Sequence, residues 1–92
     1  NQLAGQEVAV GRYYLKRNNP LSAIKRFKTV INDHENSPYY PEALFRSIEA
    51  YAMLGINNKI INYAKIIKKE FPNSEWNPLT LNLMDKYGIK VD

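Results

Sequence analysis

Residues 11–27 read Gly11-Arg12-Tyr13-Tyr14-Leu15-Lys16-Arg17-Asn18-Asn19-Pro20-Leu21-Ser22-Ala23-Ile24-Lys25-Arg26-Phe27. An Asn-Asn-Pro break divides the stretch. Before it, the small residue Gly11 stands three positions ahead of the aromatic Tyr14; after it, Ala23 stands four ahead of Phe27. Each spacing is about one helical turn, so each side sets a small residue and a ring on one helix face. Small residues let two helices approach closely, and a ring fills the space beside them. Asn19 is an N-cap candidate, and Pro20 suits the first helical position, where its missing N–H removes no bond. The stretch predicts a hairpin of two helices.

The rest of the chain is punctuated in the same way. Breaks fall at Asn36-Ser37-Pro38 and Pro41, Gly55-Ile56-Asn57-Asn58, Pro72-Asn73-Ser74 and Asn77-Pro78. The segments between them have helical spacing and no sustained alternation of period two. They predict five helices, near 3–17, 20–33, 40–54, 58–70 and 78–87. The apolar stripes are Leu3, Val10 and Tyr14 with Ala4, Gly11 and Leu15 on the first. On the second they are Ala23, Ile24, Phe27, Val30 and Ile31; on the third, Leu44, Ile48, Tyr51 and Ala52. The fourth carries Ile60, Ile61, Ala64, Ile67 and Phe71. Asn77-Pro78 is expected to repeat the Asn19-Pro20 cap, and Gly88 to end the last helix in a left-handed conformation.

A shift of 37 residues aligns Tyr14 with Tyr51, Ile24 with Ile61 and Lys28 with Lys65. It also aligns Asn36-Ser37 with Asn73-Ser74, Pro41 with Pro78 and Leu44 with Leu81. The unit is helix, short turn, helix, polar Asn-Ser loop, close to the tetratricopeptide repeat (TPR) of 34 residues. Gly11, Tyr14, Ala23 and Phe27 match that repeat in the first unit. Tyr51, Leu54-Gly55, Ala64, Ile67 and Pro72 match it in the second. Ile60 replaces a small residue, and Glu35 stands where a terminating proline is expected. The fold expected is all-α, a tetratricopeptide-like helix-hairpin solenoid of five helices. Its single unit, 1–92, holds about two repeats (near 3–35 and 40–73) and a C-terminal helix near 78–87. A solenoid end leaves a face open, and here that face is expected around Ala9 and Tyr13. A plain small helical bundle is the competing architecture.

Composition narrows the function. The 92 residues include 13 Lys+Arg and 9 Asp+Glu, for a net charge of +4, and 45% are hydrophobic. That apolar content argues against disorder, and no uninterrupted apolar run approaches the roughly 20 residues of a membrane span. With no cysteine, disulfides, thiolate metal sites and cysteine catalysis are excluded. The one histidine, His34, cannot build a multi-histidine site and reads as a surface loop residue between Asp33 and Glu35. Nucleotide loops, nucleophile elbows and zinc-protease motifs are missing. Neither a catalytic residue, a cofactor nor a metal is therefore expected, and the chain reads as no enzyme. The chain begins at Asn1 without a leader, and reads as a piece of a longer protein. Basic residues are spread over several helices rather than gathered in a stripe with exposed rings, which argues against nucleic-acid binding.

Arg26 stands apart. It falls a quarter turn from the centre of the second helix's apolar stripe, in line with Ser22, Thr29 and Asp33. A planar guanidinium there suits bidentate capture of a partner's carboxylate. The competing reading of that spacing is a solvated arginine loosely paired with Asp33, worth little. With Arg17 at the end of the first helix, Arg26, Ser22 and Thr29 are the candidate partner-binding residues. Tyr13 and Met53 also point off their core stripes.

Leu3-Ala4-Gly5-Gln6-Glu7, running into Val10-Gly11-Arg12-Tyr13-Tyr14-Leu15-Lys16-Arg17 and Ala23-Ile24-Lys25-Arg26-Phe27, resembles the C-terminal part of the BamD family. These are the TPR lipoproteins of the bacterial outer-membrane β-barrel assembly machinery. Pro41-Glu42-Ala43-Leu44, Glu49-Ala50-Tyr51, Leu54-Gly55, Ala64-Lys65 and Phe71-Pro72-Asn73-Ser74 continue the likeness over about residues 3–76. Gly5 and the Tyr-Tyr helix are similar to the α-proteobacterial versions. The resemblance implies a longer protein of five repeats, held at the periplasmic face of the outer membrane by a lipidated N-terminal cysteine outside this sequence. It implies a non-enzymatic scaffold that binds the barrel-proximal POTRA domain of BamA, with Arg26 at that contact. Other lipoproteins of the machinery and unfolded outer-membrane proteins are further implied partners. Two departures stand out. His34-Glu35 replaces the family's aromatic-proline pair, so a different turn is expected there, and the tail 76–92 carries no strong family pattern. The competing functions are another periplasmic TPR adaptor of the cell envelope and a basic nucleic-acid-binding module.

Overall fold

Five helices account for most of residues 2–90, the part that the computed structural model describes. They are α1 (Gln2–Lys16), α2 (Pro20–Asp33), α3 (Tyr40–Leu54), α4 (Asn57–Glu70) and α5 (Trp76–Lys86). Each lies within two residues of the expected start and end, and no strand occurs among the described residues. Short links force neighbouring helices to fold back on one another. Each helix packs on the next; α1 also touches α3, and α3 touches α5. Thus α1, α3 and α5 form one layer, with α2 and α4 behind it. The shortest dimension, 18 Å, is that of two helix layers at the usual 8–10 Å spacing.

The 37-residue shift recurs in the backbone hydrogen bonds. At the end of α1, Asn18 N–H donates to the Leu15 carbonyl and Asn19 N–H to that of Tyr14. At the end of α3, Gly55 N–H donates to Ala52 and Ile56 N–H to Tyr51. Asn18 (φ 57°) and Gly55 (φ 72°) both take the left-handed conformation that closes a helix in this paired way. Gly88 (φ 68°) closes α5 likewise, as expected, with Ile89 N–H reaching Met84.

The turns after α2 and α4 are also equivalent. His34 N–H donates to Val30 and Ser37 N–H to His34; Phe71 N–H donates to Ile67 and Ser74 N–H to Phe71. The capping angles, −135°/42° at His34 and −133°/51° at Phe71, nearly coincide. The different turn expected from His34-Glu35 therefore does not occur. Its geometry is set by main-chain bonds that side-chain identity leaves untouched, and half-buried His34 lies at the α2 end of the link.

Two other expectations need correction. Asn19 does cap α2, accepting from Ser22 N–H at 3.3 Å, but Asn77 does not repeat the device. Helix α5 begins at Trp76, and the Asn77 side chain instead donates back to the Pro72 carbonyl at 3.2 Å. The α1 stripe is also shifted. Its buried residues are Ala4, Val8 and Gly11, whereas Leu3 is half exposed and Val10 and Tyr14 are only partly covered.

The core has two parts. Ala4, Val8, Ala23, Phe27, Val30 and Ala43 fill the first hairpin and its border with α3. Ile24, Leu44, Ile48, Tyr51, Ile60, Ile67 and Met84 belong to the larger second part. Helix α3 supplies ten buried residues and borders both parts. Gly11 shows why a small residue is needed: a Cβ there would sit 2.3 Å from Cε1 of Phe27. The ring of Phe27, fully buried, lies directly on the α1 backbone.

Candidate partner-binding surfaces

Arg26 extends from α2 toward α1 and not along its own helix. Its Nη1 donates to Oε1 of Glu7 at 3.1 Å. The pairing with Asp33 that spacing allowed is replaced by this cross-helix pair, because the hairpin sets Glu7 alongside Arg26. The Arg26 side chain keeps 44% of its exposure while Glu7 keeps 15%. The pair lies on the outer flank of the α1–α2 contact. A guanidinium carries five N–H donors, so most of those on Arg26 stay open to a second acceptor.

The other expected site residues distribute along the same hairpin. Ser22 and Thr29 are half-buried on either side of Arg26 along α2, and Thr29 Oγ1 lies at the limit of hydrogen bonding from the Lys25 carbonyl, 3.5 Å. Arg17 sits at the hairpin end, its guanidinium 4.9 Å from the centre of the Tyr13 ring. Ser22, Arg26 and Thr29 thus share one flank, while Arg17 belongs to the exposed outer face of α1 with Tyr13 and Ala9. Ala9 and Tyr13, expected to be open, are exposed.

A second polar assembly joins α1 to α3. Glu42, in the first turn of α3, accepts from Arg12 Nη1 at 2.8 Å and from Arg46 Nε at 3.3 Å. Arg46 continues to Glu49 at 3.1 Å. Its guanidinium also lies 5.4 Å from the ring centres of both Phe45 and Trp76, tying α5 to the same chain of contacts. The Glu42 carboxylate gains from the positive end of α3 as well as from its two arginines. The Glu42–Arg46 and Arg46–Glu49 spacings, four and three residues, are a legible helical signal. The partners Arg12 and Glu7 are separated by 30 and 19 residues from theirs and carry no such signal.

Beside this chain of charges runs an open groove of about 670 Å³, floored by α3 and walled by α1 and α5. The two tyrosines whose hydroxyls are raised lie elsewhere, toward α4. Burial, with Tyr51 alongside, pushes the Tyr63 hydroxyl up to about 12. Tyr40 is raised by burial first and then by Glu70 and Glu35. Among the described residues no three His, Asp or Glu side chains gather as a metal site, and no helix is long and apolar enough to cross a membrane.

The model of the YfiO family, described as "Outer membrane lipoprotein", matches residues 1–66. An outer membrane protein assembly factor BamD from Rickettsia prowazekii is 38% identical over 87 residues, covering 95% of this chain and 35% of that protein. The BamD of Caulobacter vibrioides is 40% identical over 90 residues, 98% of this chain and 30% of that protein. The BamD of Neisseria meningitidis serogroup A is 32% identical over 72 residues, 78% of this chain and 27% of that protein. The chain thus spans about a third of the length of the curated relatives it matches. No solved structure matches it.

Proposed function

This chain belongs to the YfiO family of outer membrane lipoproteins, and on that premise we propose that it is a non-enzymatic scaffold of outer-membrane protein assembly at the periplasmic face of the outer membrane. In this reading the flank of the α1–α2 hairpin docks the barrel-proximal POTRA domain of BamA. The observation that carries it is Arg26: a guanidinium held in place by Glu7 at 3.1 Å yet 44% exposed. Such a group is pre-positioned for a partner's carboxylate and loses little side-chain freedom on binding. Ser22 and Thr29 flank it and supply hydroxyls. Complementary charge of this kind fixes register and raises the rate of encounter. Other lipoproteins of the machinery and unfolded outer-membrane proteins are additional partners in the same proposal.

Titration calorimetry of the chain against the barrel-proximal POTRA domain from the same organism tests the reading. Arg26→Glu is expected to weaken binding by about tenfold or more, with helicity unchanged. Arg26→Lys keeps the charge but loses the planar fork, and should lie between. Equal affinity for the wild-type chain and a fully helical Arg26→Glu variant would remove Arg26 from the contact.

A further inference from the structure

We propose that the groove over α3, between α1 and α5, is a second docking site, and that its occupant is an acidic peptide segment with apolar side chains. The site is separate from the flank of Arg26. On α1, Arg12 and Lys16 turn toward the groove, whereas Glu7 turns toward α2 and Arg26.

The charge balance selects the occupant. Four cations line the groove: Arg12 and Lys16 from α1, Arg46 from α3 and Lys86 from α5. The acids facing them are Glu42 and Glu49. Both are already engaged, Glu42 by Arg12 and Arg46, Glu49 by Arg46. No carboxylate among the described residues lies within ion-pair distance of Lys16 or Lys86. The two lysines stand on opposite walls, and Lys86 Nζ lies 5.9 Å from the centre of the Tyr87 ring. A ligand crossing the groove meets positive charge on either side.

Between those walls apolar side chains share the surface with Glu49 and Asn82. Leu15, Met53, Leu83 and Tyr87 line it, with Met53 at 44% and Tyr87 at 50% exposure. Methionine and tyrosine adapt to varied side chains at modest entropic cost. The volume, about 670 Å³, accommodates a few residues of extended chain and falls within the usual range for ligand clefts. The Arg12–Glu42–Arg46 contacts hold α1 and α3 at fixed separation, so the groove is formed before a ligand arrives. A polar or basic peptide would leave the two lysines uncompensated or repelled; an acidic one without apolar side chains would leave Met53 and Tyr87 in water.

Fluorescence anisotropy with a labelled ten-residue peptide alternating Asp and Phe tests this. The chain should bind it in the micromolar range, and the matched Asn/Phe peptide at least about fivefold more weakly. Lys16→Glu with Lys86→Glu should abolish the difference between the two peptides. Lys65→Glu with Lys69→Glu, an equal change of charge on α4, should leave affinity within about twofold. Circular dichroism confirms that each variant is helical. Equal weakening by both lysine pairs would overturn the proposal, since attraction would then follow net charge and not the groove. Absence of binding to the Asp/Phe peptide, with or without binding to phosphatidylglycerol vesicles, would overturn it too.

Discussion

The two hairpins, α1–α2 and α3–α4, share a backbone and fill it in opposite ways. At the closest approach of the first, Gly11 lies under the ring of Phe27. The residues 37 positions on are Ile48 and Ala64, so the large and small partners have exchanged helices. Both solutions leave no exposure at the large residue. The second slot differs more. Arg26 and Glu7 make an ion pair at 3.1 Å where the second hairpin has Tyr63, packed on Tyr51 with ring centres 5.8 Å apart, and fully buried Leu44. The same position is ionic and partly exposed on the first hairpin, and apolar and packed into the larger core on the second. A repeat fixes turns and helix spacing; place in the stack decides which of its residues are core.

The largest effect should come from forcing the first hairpin to use the second's residue. Gly11→Ile drives a branched side chain into the Phe27 ring and should cost about 3 kcal/mol by denaturant unfolding. Adding Phe27→Ala reproduces the Ile48–Ala64 pairing and should restore about half of that loss. Failure of the double variant to recover would show that the two packings are not interchangeable. A smaller effect is expected at the turns. Gly55→Ala places a Cβ in the left-handed region and should cost about 1 kcal/mol. Asn18→Gly, at the equivalent turn, should be neutral or slightly stabilising in the same assay, because Asn already tolerates that conformation. The smallest effect is confined to alkaline pH. Tyr63 holds its proton up to about 12 in the folded chain against 10.0 when unfolded. Its contribution is complete below pH 10 and is lost as pH rises toward 12. Thermal midpoints should fall over that window, and less steeply in Tyr63→Phe.

Much of this was legible in the sequence for local reasons. Asn19-Pro20, Gly55 and Gly88 mark helix ends through their own conformational preferences, and the 37-residue shift compares like with like. On α1 the expected stripe takes in the buried Ala4 and Gly11 but also Leu3, Val10 and Tyr14, because that helix carries two apolar lines, one through Leu3, Val10 and Tyr14 and one through Ala4, Val8 and Gly11. Periodicity detects both; only the position of Phe27 chooses between them. Of the candidate site, the polar line of Ser22, Arg26 and Thr29 followed from helical spacing. Its counter-ion did not, since Glu7 is 19 residues away and reaches Arg26 only once the hairpin closes. Arg12 and the groove are equally products of assembly.

The burial of ten α3 residues has a consequence for how the chain is divided. Sequence repeats invite a cut between the hairpins, in the link at 34–39. Yet Ala43 belongs with Phe27 and Val30, and Ile24 with Leu44 and Ile48. Severed there, the first hairpin would lose the wall that covers it. A piece that keeps this core whole is therefore not a repeat but a repeat plus the first helix of the next, and the boundaries of packing run half a unit out of step with the boundaries of sequence.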